Sequence, residues 1–323
     1  MKNLLTKERL PVLATAAVCL MLYTAACLIY KNFFSLSVFV NFISDNAFLG
    51  IVAVGLTFVI LTGGIDLSVG AMVGCAGVMS AKLIQDAHLH PLISFAAVLS
   101  FGTALGVTHG VLIQKFALPP FLVTLGGLFL CRGISLAISK ESIQVDHPFF
   151  NAISSFRVPL GFGASVQIGA ILFLLILMVG IWLAKQSRFG RTVYAIGGNE
   201  QSALLMGLNV PRTKVLTYAL SGFLSALGGL VFAIYTSSGN PLSGTGMELD
   251  AIAAVVIGGT LLSGGYGSVF GSFLGVMILG IIQTAITFQG NLSSWWTKIV
   301  IGALLLGFML IQKLIERATE KAS

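Results

Sequence analysis

The chain has 323 residues; 56% are hydrophobic and only 9% charged, and the mean hydropathy is +0.98. Soluble domains carry about a quarter charged residues, so this chain lacks the charge to cover a water-facing surface and reads as a polytopic membrane protein. The net charge of +7 does not point to nucleic acid, because the basic residues fall in short loops between apolar runs, where orientation signals belong.

A helix needs about 20 apolar residues to cross a bilayer. On that ruler the sequence predicts about ten spans, near 10–30, 41–62, 66–84, 91–113, 119–138, 166–184, 214–236, 249–263, 267–288 and 295–312. The runs are long rather than alternating in ten-residue strands, so the expected fold is all-α and not a barrel. "TAAC" at 24–27 has the look of a lipoprotein cleavage site, but Thr24 stands where Leu is usual, and an uncleaved first helix is expected. Cys19, Cys27, Cys75 and Cys131 all sit in apolar segments without metal-ligand spacing and read as small core residues. A single membrane domain over 1–323 is expected, ending in an amphipathic extension from about residue 313.

With the N-terminus in the cytoplasm, the inside segments hold Lys2, Lys7, Arg9, Lys115, Lys185, Arg188, Arg191, Arg212, Lys214, Lys313, Arg317 and Lys321. The outside ends hold Lys31, Lys82, Lys140, Arg157 and Lys298, and Arg132 falls within a span. This bias predicts both termini inside. It places the 139–165 loop in the periplasm and the 185–213 loop in the cytoplasm.

The second and third spans are parted only by "LTGGIDLSVG" (61–70), in which Gly63 and Gly64 break the helix and Asp66 follows. A break at membrane depth is tolerated where it lines a cavity or is buried in protein. Asp66 either caps the helix that starts at Leu67 or marks a pathway. "LTGGIDLSVGAMVG" (61–74) aligns without gaps with "LSGGYGSVFGSFLG" (262–275), so Gly264 and Gly265 form a second break. Paired breaks in two halves point to a transport site between repeats. Both breaks fall on the cytoplasmic side, which does not suit an inverted repeat. Gly102, Gly106 and Gly110 form a small-residue face for close helix packing.

Other polar groups within spans are few. Asp45 and Asn46 open the second span, and Glu248 and Asp250 open the eighth, where a helix dipole stabilises carboxylates. Arg132 reads as a snorkelling cation or the partner of an acid, and His109 as hydrogen-bonded to a neighbouring helix. In the cytoplasmic loop Gly197 and Gly198 are read as a turn, Asn199 as an N-cap, Glu200 as a first-turn acid, and Gly207 as a left-handed C-cap. This short capped helix either lies on lipid headgroups, favoured by Arg188 and Arg191, or docks a partner. There is no G-x-x-x-x-G-K-[ST], H-E-x-x-H or G-x-S-x-G motif. What remains is a pore driven from outside the chain, an ion-coupled secondary carrier or, more distantly, an intramembrane enzyme.

"FVILTGGIDLSVG" (58–70), "GRTVYAIGGNEQSALLMG" (190–207) and "ELDAIAAVVIGGTLLSGG" (248–265) resemble, in order, the permease subunits of bacterial ABC importers for ribose, xylose, arabinose and related sugars. "DNAFLGIVAVGLTFVILTGGIDLSVG" (45–70) and "LSSWWTKI" (292–299) carry a narrower likeness to the galactofuranose importers, whose permease pairs with a second, different permease. The resemblance implies a multi-pass inner-membrane pore subunit that does no covalent chemistry and binds no cofactor itself. It implies a cytoplasmic ATP-binding subunit that binds ATP, a second permease and a periplasmic sugar-binding protein as partners. It makes the 185–213 loop the coupling loop, with Arg191, Gly197, Gly198, Asn199, Glu200 and Gly207 at the ATPase contact. A neutral sugar needs hydrogen-bonding groups and aromatic walls, so Asp45, Asn46, Phe48, Thr57, Asp66, Glu248 and Asp250 are expected along the path or its gate.

Overall fold

The computed structural model describes residues 10–161, 163–290 and 295–320; the side chains of Lys2, Lys7, Arg9, Lys313, Arg317 and Lys321, and residues 292–294 of "LSSWWTKI", lie outside what is described. In chain order the helices are α1 (Leu10–Ile29), α2 (Leu36–Asp45), α3 (Ala47–Leu61), α4 (Val69–Gln85), α5 (Pro91–Lys115), α6 (Pro120–Ile138), α7 (Pro148–Ser155), α8 (Ile168–Gln186), α9 (Arg188–Gly198), α10 (Glu200–Leu205), α11 (Val210–Thr236), α12 (Met247–Ile257), α13 (Val269–Gln289) and α14 (Trp295–Glu320). Each of the ten expected segments contains a helix. Among the described residues, however, only α1, α5, α6, α8, α11 and α13 are long and apolar enough to cross a membrane. The pair α2 and α3, bent by 54°, makes a seventh span if taken together. Fewer helices than expected pass because the glycine breaks take residues from their neighbours. α4 starts only at Val69, and α12 keeps 11 residues.

The helices form an inner and an outer set. In α11 and α13, 61% of the apolar window is buried, against 11% in α1 and 22% in α6. α3 lies deepest: every residue but Phe48 is buried. A helix that is apolar on all sides is stable in lipid or inside a bundle, and α3 takes the second place. Its neighbours are α8, α11, α12 and α13. Close packing of α5 on α11 follows from the expected glycine face. Side chains at Gly102, Gly106 or Gly110 would overlap the backbone of Gly222, Tyr218 or Val215.

The 139–165 loop is more ordered than its sequence suggests. β1 (Ile143–Gln144) pairs antiparallel with β4 (Ser238–Gly239), tying the loop to the end of α11. α7 follows, capped by His147, whose Nδ1 accepts from Phe149 N at 3.2 Å. β2 (Arg157–Gly161) and β3 (Ala164–Gln167) then make a hairpin. These elements close one end of the bundle; α9 and α10 stand at the other.

Candidate functional site

α3 ends at Thr62, and Gly63 turns the chain with φ +78°, a conformation that side-chain-bearing residues rarely adopt. Gly64 leaves the space occupied by the Tyr218 hydroxyl. Asp66 is 1% exposed. Its Oδ1 accepts from the Ser68 amide at 3.0 Å and the Ser68 hydroxyl at 2.6 Å, and its Oδ2 accepts from the Ser221 hydroxyl at 2.7 Å. The expectation that Asp66 caps a helix starting at Leu67 is therefore corrected. Ser68 occupies the N-cap position of α4, and Asp66 instead holds the extended turn before it and fastens that turn to α11. Short-range sequence reading missed Ser221 because that bond spans 155 residues. Thr124 adds a bond from α6 to the Ile65 carbonyl at 3.3 Å.

The second break meets the first. Gly264 (φ +87°) lies against Gly63, and the amide of Gly265 (φ +78°) donates to the Leu61 carbonyl at 3.0 Å. The two breaks thus meet at one level in the bundle.

A polar and aromatic group gathers at the α2–α3 bend. Asp45 accepts from the Tyr235 hydroxyl at 3.1 Å, and the Phe48 ring meets Phe232 edge-on with centroids 4.7 Å apart. Tyr235 is 46% exposed, so this patch opens to the surroundings of the chain. Tyr235 and Phe232 were not singled out from sequence; an i, i+3 aromatic pair at the end of an apolar helix looks like ordinary core. Asn46, by contrast, is buried and donates to the Phe42 carbonyl at 3.0 Å, with Gly280 making room for its amide. Thr57 is wholly buried and shares a 2.7 Å hydroxyl contact with Ser272 of α13. It serves helix packing within this chain.

Glu248 and Asp250 lie in the first turn of α12, as expected. Asp250 pairs with Lys298 of α14 at 2.6 Å. Glu248 directs Oε2 into the space left by Gly70, and that atom has no hydrogen-bond partner among the described residues. Among the described residues Arg132 pairs with no acid: its guanidinium donates to the carbonyls of Pro241 at 2.5 Å and Ser243 at 3.1 Å, holding the chain that enters α12. The buried His109 sets Nε2 over Gly127.

At the other end, α10 is the expected capped helix. The Asn199 side chain accepts from the Ser202 amide at 2.8 Å, and Gly207 has φ +75°. Glu200 takes the Lys214 ammonium at 2.6 Å. Leu204, Leu205 and Met206 project outward, with Leu205 90% exposed. Gly197 and Gly198 do not form the expected turn; they are the last two residues of α9. The i, i+3 spacing of the buried Val193 and Ile196, with Ser187 as N-cap, was the available signal for that helix. Arg191 donates to the Gln186 carbonyl at 3.2 Å and stays exposed. No cluster of His, Cys, Asp and Glu able to hold a metal ion occurs among the described residues.

Residues 38–309 match the family described as "Branched-chain amino acid transport system / permease component". The chain is 49% identical to the inner membrane ABC transporter permease protein YjfF of Escherichia coli (strain K12), over 95% of this chain and 93% of that protein. It is 36% identical to the fructose import permease protein FruG of Bifidobacterium longum (strain NCC 2705), over 96% and 93% respectively. It is also 36% identical to the ribose import permease protein RbsC of Escherichia coli (strain K12), over 87% of each chain. No solved structure matches.

Proposed function

Because this chain belongs to the permease-component family of ABC importers, and is a sugar permease subunit of the bacterial inner membrane rather than an enzyme, we propose that its cargo is galactofuranose. ATP hydrolysis resides in a separate subunit. What supports the particular sugar is the likeness of residues 45–70 and 292–299 to galactofuranose permeases. The same likeness supports pairing with a second, different permease. About ten membrane-crossing segments with both termini in the cytoplasm complete this reading, and the excess of Lys and Arg in the inner loops supports it.

In this reading the sugar passes the Asp45, Phe48, Tyr235 and Phe232 group at the outer end. A carboxylate and a phenol offer hydrogen bonds to sugar hydroxyls, and the rings offer apolar faces to its C–H surfaces. Neutral cargo calls for no full charge opposite Asp45. Asp66, Asn46 and Thr57 shape the helices around the path from within, while Glu248 and Asp250 set the start of α12. The observation that carries the energy-coupling assignment is the Leu205 tip of α10. An apolar side chain 90% exposed on a capped knob at the basic end of the bundle fits a groove in a cytoplasmic partner.

The test is uptake into proteoliposomes holding this permease, its partner permease, the ATP-binding subunit and the periplasmic binding protein. ATP-dependent accumulation of labelled galactofuranose, undiminished by excess ribose, xylose or fructose, is the expected result. Equal competition by a pentose would remove the galactofuranose assignment and leave the sugar permease standing.

A further inference from the structure

α9 stands between the α10 knob and both helix breaks. Its penultimate residue, Gly197, lies where a side chain would overlap the Leu61 carbonyl oxygen of the first break and the Gly265 amide of the second. Those two groups are hydrogen-bonded to each other at 3.0 Å. One turn earlier, the Tyr194 hydroxyl donates to the Gly267 carbonyl at 2.9 Å. Further back, the Phe189 ring rests on Phe58 of α3, with centroids 5.8 Å apart. Asn199 belongs to both helices: its amide closes α9 on the Ala195 carbonyl at 3.1 Å, and its side chain opens α10. No slack segment separates them.

From these contacts we infer that α9 is the lever of transport, that Gly197 is its fulcrum on the joined breaks, and that Tyr194 is the residue that holds the second break to it. This rests on docking of the ATP-binding subunit at α10. A push on α10 has no flexible side chain to absorb it at Gly197, because backbone meets backbone there, and close-packed contacts transmit displacement rather than damp it. Gly63, Gly264 and Gly265 supply the backbone freedom at which the spans can pivot. The Leu61–Gly265 bond makes the two breaks move as one, so a single input bends α3–α4 and α12–α13 together.

The test uses the assembled importer with Tyr194→Phe, which keeps the ring and removes one hydrogen bond. The variant is expected to retain its ATP-binding subunit through purification while sugar moved per ATP falls about fivefold, the scale of one net hydrogen bond. Hydrogen exchange supplies an independent reading. In the unaltered importer, ATP should change protection at 61–66 and 262–267 together; in Tyr194→Phe the change at 262–267 should be lost and that at 61–66 kept. An unchanged ratio of sugar to ATP, even with a lowered melting temperature, would give Tyr194 a purely structural role and overturn the inference. Failure of the docking reading looks different: the ATP-binding subunit would remain bound to a permease carrying Leu205→Asp.

Discussion

Asp66 carries a carboxylate that is 1% exposed, yet its three acceptor bonds, from an amide and two hydroxyls, replace the water it has lost. Its value lies in joining the first break to α11. Removing the acceptor strands two buried hydroxyls and an amide, and an unsatisfied buried donor costs about 1–3 kcal/mol. Asp66→Ala should therefore lower the melting temperature of purified permease, and uptake should fall only in proportion to the folded protein. Full stability with lost uptake would return Asp66 to the sugar path. The type of role was partly legible, since a carboxylate two residues after a glycine pair predicts a local bond. The partner was not, because Ser221 reads as an unremarkable helix serine until α11 is placed.

At the scale of elements, α10 shows how local rules and tertiary fit divide the work. Asn199, Glu200 and Gly207 marked both of its ends in the sequence, because cap chemistry is a matter of a few adjacent residues. α9 was missed because its Gly197–Gly198 pair has the signature of a turn. The pair sits in a helix instead, and at Gly197 only glycine lets α9 reach the Leu61 carbonyl. The Leu205 tip is 90% exposed, so Leu205→Asp should leave the unfolding free energy of the permease within about 0.5 kcal/mol of the original. The same change places a charge in the apolar contact and should abolish co-purification of the ATP-binding subunit. A variant that folds and still retains that subunit would exclude the Leu205 tip from the interface.

Across the whole molecule, hydropathy located every long helix, because burial in lipid or in the bundle selects the same residue types. That shared chemistry is also why it marks about ten segments where six helices, or seven spans with the α2–α3 pair, pass by length and composition among the described residues. The inner α3 and the short α12 are as apolar as the outer helices, yet nearly all of their apolar residues are buried within the bundle. The meeting of the breaks was visible only as two similar glycine motifs, since a backbone contact across some 200 residues leaves no side-chain signal. Orientation remains readable from charge: Lys115, Lys185, Arg188, Arg191 and Arg212 lie around the α9–α10 end, and Arg157 lies in the hairpin at the other. A membrane-impermeant maleimide should therefore label a cysteine placed at Leu205 only from the cytoplasmic side, and one at Leu160 of the hairpin only from the periplasmic side. The four native cysteines are buried or half-buried within apolar helices, where a charged reagent has poor access to a thiolate, so background labelling should be low. Labelling of both positions from one side would invert or break the topology. It would also detach the coupling knob from the cytoplasm, where ATP hydrolysis must act on it.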